Sequence, residues 1–98
     1  MRRGVTDLVF RSIADCHRTA AEQRYIWATL RIWQRLPPAR REAIRSLIGR
    51  IARTPAEGRA LYDVAVRASP PTTVSGRTGV PILRIYELRR EFYERFEI

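Results

Sequence analysis

Asp15, Cys16 and His17 are consecutive, and they include the only cysteine and the only histidine of the chain. Neighbouring residues on a helix point about 100° apart, so Cys16 and His17 do not form a nucleophile–base dyad by themselves. A metal ion needs ligands that converge on one point, and three adjacent side chains cannot supply that. A second set of chemically capable groups lies near the C-terminus, where Glu87, Glu91 and Glu94 alternate with Arg84, Arg90 and Arg95. At helical spacing Glu87–Arg90 and Glu91–Arg95 attract, while Glu87–Glu91 repel. That is a charged solvent face, not a carboxylate pair built for acid–base work. No glycine-rich phosphate loop of the P-loop or dinucleotide type is present. The reading is of a non-enzyme that needs no cofactor and no metal.

The elements around these residues are more informative than the residues themselves. From Ser69 the chain runs SPPTTVSGRTGVPILRIYELRREFYER. It predicts two helices hinged at Gly79, a short one over 72–78 and a longer one opening at Val80-Pro81. Proline suits a first helical turn, where its missing N–H has no intrahelical partner to lose. Glycine enters a left-handed turn at almost no cost. Val74, Val80, Ile85 and Leu88 then meet across the angle, with Ser75 small enough to let the helices approach.

On Val74, Ser75, Gly79, Val80, Ile85 and Leu88 the chain resembles the helix-turn-helix DNA-binding superfamily. With LPPARREAIRSLI at 36–48 echoing an opening helix, it is similar to the sigma-factor-region-4-like regulators of phage and bacterial genomes. The resemblance implies a sequence-specific transcriptional regulator whose second hinge helix enters the major groove of double-stranded DNA. Ile82, Leu83, Tyr86 and Glu87 would reach base edges, with Arg90 one turn further on. Leu83 could meet a thymine methyl and Glu87 could accept from cytosine N4. Arg84 and Arg90 are candidates for phosphate or guanine, while Thr72, Thr73 and Arg77 would hold backbone phosphates. A competing expectation is a protein–protein adaptor, with RNA polymerase or a phage packaging protein as partner.

The remaining chain predicts an all-α fold of five to six short helices in one domain of 98 residues. Val5, Val9, Ile13 and Cys16 share a helical face. Thr19-Ala-Ala-Glu22 has the form of a capping box, so a second helix should start at Ala20 and reach Leu36. Tyr25, Ile26, Trp27, Leu30, Ile32 and Trp33 form too broad an apolar surface for one stripe, which suggests a homodimer through residues 1–36. Pro37-Pro38 closes that pair. In the 37–98 unit, Ala43, Ile44, Leu47, Ile48 and Ile51 form a stripe opposite Arg40, Arg41, Arg45 and Arg50. Thr54-Pro55-Ala56-Glu57 then starts a helix to about Ala68 carrying Leu61, Tyr62, Ala65 and Val66.

Composition agrees with a polyanionic partner. The net charge is +9, every basic residue is arginine, and the excess is spread over both parts of the chain. One cysteine excludes an internal disulfide. No stretch is apolar enough to span a bilayer, and Met-Arg-Arg-Gly lacks the apolar core of a signal peptide, so a cytoplasmic protein without a membrane partner is expected.

Overall fold

The computed structural model describes residues 10–98. Among them lie five α-helices and no strand: α1 (Ala20–Arg31), α2 (Pro38–Ile51), α3 (Pro55–Ala65), α4 (Pro71–Thr78) and α5 (Ile82–Arg95). A 3-10 turn, Trp33–Arg35, links α1 to α2. α3 and α5 pack on each other, and both touch α2 and α4. Ile26, Leu30, Leu61, Val74, Ile85, Leu88, Phe92 and Phe96 form the fully buried centre.

Each helix begins where local chemistry directs it. The Thr19 hydroxyl accepts from Glu22 N at 3.1 Å and the Glu22 carboxylate accepts from Thr19 N at 3.0 Å, which completes the capping box of α1. Thr54 accepts from Glu57 N at 3.1 Å, but the Glu57 carboxylate reaches one residue further back, to Arg53 N at 2.9 Å. Proline opens α2, α3 and α4. α3 stops at Ala65, short of the expected Ala68, because Ala68 itself takes a left-handed φ of 56°.

The expected helix through Val5, Val9, Ile13 and Cys16 is corrected where it can be seen. Val5 and Val9 lie outside the described residues. Residues 10–18 are irregular, with Asp15 at φ 60°, a conformation that no right-handed helix accommodates. Ile13 and Cys16 nevertheless pack against the core. Gln23, the buried polar residue of α1, holds this segment with both ends of its amide. Its Oε1 accepts from Ile13 N at 2.7 Å and its Nε2 donates to Arg18 O at 3.1 Å.

α1 also ends earlier than Leu36. The break at Ile32 turns Trp33 inward, where it is only 7% exposed and meets Tyr62 edge to face. Leu36, before Pro37, is extended as the proline requires. In α2 the buried stripe is Ile44, Leu47, Ile48 and Ile51, while Ala43 is exposed.

Candidate nucleic-acid interface

The bend between α4 and α5 is held by four hydrogen bonds. Gly79 has φ 80° and donates its N–H to Ser75 O at 2.9 Å. The Thr78 hydroxyl donates to Val74 O at 2.8 Å and accepts from Val80 N at 3.3 Å. Ser75 does more than make room, since its hydroxyl donates to Val80 O at 2.7 Å across the bend. Val74, Val80, Ile85 and Leu88 are all buried inside the angle. Pro81 occupies the N-cap position, one residue before the first helical turn of α5.

This anchoring leaves the opposite face of α5 outward. Leu83 is 73% exposed and Tyr86 43%, and Glu87 is exposed beside them. Ile82 and Arg90 are half-buried at the margins. Thr72 and Thr73 are exposed at the start of α4. The irregular segment Ser12 to Asp15 borders the outward face, enclosing with Leu83, Tyr86, Glu87 and Arg90 a groove of about 480 Å³.

Two of the three arginines on which phosphate contact would depend are already engaged. Arg84 donates Nε to Glu57 Oε2 at 2.9 Å and Nη2 to Glu57 Oε1 at 3.1 Å, a fork-to-fork pair, and Nη1 to Glu87 at 3.2 Å. The hydrogen bonds from Arg84, and then from Arg53 N, hold the Glu57 carboxyl below the usual carboxylate range. The same pairing raises the Arg84 guanidinium above its ordinary value. Arg77 pairs with Asp63 at 3.0 Å but remains half exposed. Among the described residues Arg90 makes no ion pair or side-chain hydrogen bond.

Several other arginines serve the fold. Arg31 Nη2 donates to Ala65 O at 2.5 Å and Val66 O at 3.0 Å, closing the end of α3. Arg18 does the same at the end of α5, through Tyr93 O at 3.2 Å and Phe96 O. Arg41 donates to Leu36 O at 2.8 Å, and Arg40 and Arg45 lie over Phe96 and Trp33. Apart from Arg41, these roles join residues too far apart for any sequence periodicity to reveal, 34 positions for Arg31 and Ala65.

The surface suspected on α1 is smaller than expected. Trp33 is part of the core and Trp27 is half-buried against Phe10, with Tyr25 and Ile32 left as the exposed large apolar groups of this region. Near the first set of candidate chemical groups, His17 is solvent-exposed and 3.7 Å from Glu94, and no cluster suited to a metal ion occurs among the described residues. No helix among them is long and apolar enough to cross a membrane. No protein-family model matches the chain, and neither the curated proteins nor the solved structures contain one significantly similar to it.

Proposed function

We propose that the chain is a non-enzymatic DNA-binding module that presents α4 and α5 as a helix-turn-helix and regulates transcription. The observation that supports this most is the outward face on the first two turns of α5, exposed at Leu83, Tyr86 and Glu87 among the described residues, while its inner face anchors the core. Thr72 and Thr73 stand beside it as hydroxyl donors for backbone phosphates. The net charge of +9 supplies the long-range attraction. Leu83, Tyr86, Glu87 and Arg90 are the base-reading set. Arg84, held by two carboxylates, instead sets the angle of α5 against α3.

The test is selection of bound sequences from a random duplex pool, followed by affinity across a salt series. Enrichment of a motif and a steep loss of affinity with salt are expected. A palindrome with half-sites roughly 34 Å apart would further indicate a homodimer. No enrichment and no salt-dependent binding would overturn the reading.

One observation favours a second reading. Leu83 and Tyr86 are the exposed large hydrophobics of α5, on a face whose unpaired arginines among the described residues, Arg89 and Arg90, are both half-buried. An adaptor would use such a face against a protein partner such as RNA polymerase. In that case Leu83→Ser abolishes the protein contact and leaves the weak binding to duplex DNA unchanged.

A further inference from the structure

A cavity of about 260 Å³ lies where α1, the end of α3, the start of α4 and α5 come together, with Arg89 bordering both it and the groove beside Leu83. Its polar walls are unusual in sign. Arg11, Arg31 and Arg89 all line it, with Trp27, Tyr93 and residues 69–71, and no described carboxylate does so. Three guanidinium groups bordering one small space carry like charge with no described carboxylate among them. Burial of Arg31, separately, pulls its guanidinium below its ordinary value.

The cationic groups also retain donors. Arg89 Nε is shielded from solvent and has no hydrogen-bond partner among the described residues. A buried donor left unmade is costly, and a charged one more so. Of the Arg31 nitrogens, Nη2 alone is engaged among the described residues. Tyr93 is nearly buried, and burial first of all raises its phenol, which therefore stays a neutral donor at physiological pH.

We propose that this cavity is a binding site for a phosphate-type oxyanion, held by Arg11, Arg31 and Arg89. The chemistry matches on three counts. A doubly charged oxyanion relieves the repulsion among the arginines, accepts from several donors at once, and fits a space too small for a drug-sized ligand. The source is either a free anion, such as inorganic phosphate or the phosphate of a nucleotide, or a backbone phosphate of bound nucleic acid. The assignment stands whether or not α5 reads DNA.

Trp27 provides the readout, because it lines the cavity and Arg31 sits 5.3 Å over its ring. Trp33→Phe leaves Trp27 as the sole tryptophan reporter. Inorganic phosphate is titrated against chloride at matched ionic strength, and a short duplex forms the second arm. Arg89→Gln and Arg50→Gln remove the same charge, the latter from an exposed position of α2 that lines no part of this cavity, so non-specific electrostatics affect both alike. Arg11→Gln repeats the test outside any helix.

Saturable phosphate binding that Arg89→Gln and Arg11→Gln weaken by about tenfold or more, and Arg50→Gln does not, supports a free anion. A silent phosphate arm, with duplex binding lost in Arg89→Gln and Arg11→Gln but kept in Arg50→Gln, assigns the site to a backbone phosphate. Absence of an Arg89-specific loss in both arms overturns the proposal. Duplex binding that survives both cavity variants leaves the α5 face intact as a reader, so the two ideas fail separately.

Discussion

Arg84 and Glu57 meet fork to fork, with Nε to Oε2 at 2.9 Å and Nη2 to Oε1 at 3.1 Å. The pair joins the first turn of α5 to the first turn of α3, and the same carboxylate also accepts from Arg53 N at 2.9 Å. One glutamate therefore orients two helix starts. Because these bonds favour the ionised form, the folded-state pKa of Glu57 is depressed. Its contribution is complete above the ordinary glutamate value, near 4.3, and is lost as pH falls through the lower folded value.

Glu57→Gln should lower stability by about 1–2 kcal/mol at pH 7, since it replaces charge-assisted bonds with neutral ones. In urea melts the gap between wild type and variant should stay constant from pH 7 to about 5 and close below about 4. A gap that does not change with pH would show that ionisation of Glu57 is not what stabilises this junction. The variant also releases Arg84, so DNA affinity should rise if Arg84 was withheld from a phosphate.

Backbone conformation makes three predictions of opposite sign. Gly79→Ala should cost about 1–2 kcal/mol, all of it from φ 80°, because a Cβ there meets nothing within 4 Å. Ala68→Gly should stabilise by up to about 1 kcal/mol, since Ala68 already occupies φ 56°. Gly49→Ala should also stabilise by up to about 1 kcal/mol, because Gly49 lies within α2 with open space beside it. Denaturant midpoints of the three variants check the set.

Ser75→Ala should cost about 1 kcal/mol through loss of the 2.7 Å bond to Val80 O. The effect should appear as faster hydrogen exchange at the α4–α5 bend before it appears elsewhere. Retention of wild-type protection at Val80 would mean that the hydroxyl does not hold the bend.

Leu83→Ser and Tyr86→Ser should leave stability within about 0.5 kcal/mol, because both side chains face outward. Each should nevertheless reduce binding of the functional partner, read by anisotropy for duplex DNA. A large stability loss with unchanged binding would place these residues in a hidden core contact instead.

The sequence carried the features set by neighbouring residues. The capping box at Thr19, the N-cap at Thr54, the prolines at helix starts, the Gly79 bend and the stripe Ile44, Leu47, Ile48 and Ile51 depend on interactions within a turn or two, and such interactions follow from residue order alone. The irregular course of residues 10–18 was hidden for the opposite reason. An apolar spacing suited to a helix was overridden by Gln23, which captures Ile13 N from another element. Trp33 could be assigned to core or surface only once Ile32 had broken α1.

The roles of the arginines were the least legible, and the candidate sites depend on them. A row of like residues in sequence became caps on distant carbonyls at Arg18 and Arg31, a carboxylate partner at Arg84, and a cavity wall with an unmet donor at Arg89. A guanidinium on a long flexible stem takes its role from whatever acceptor the packed chain brings within about 3 Å. Residue order fixes which turn an arginine belongs to, while the acceptor comes from a segment tens of residues away, and only folding puts the two in reach.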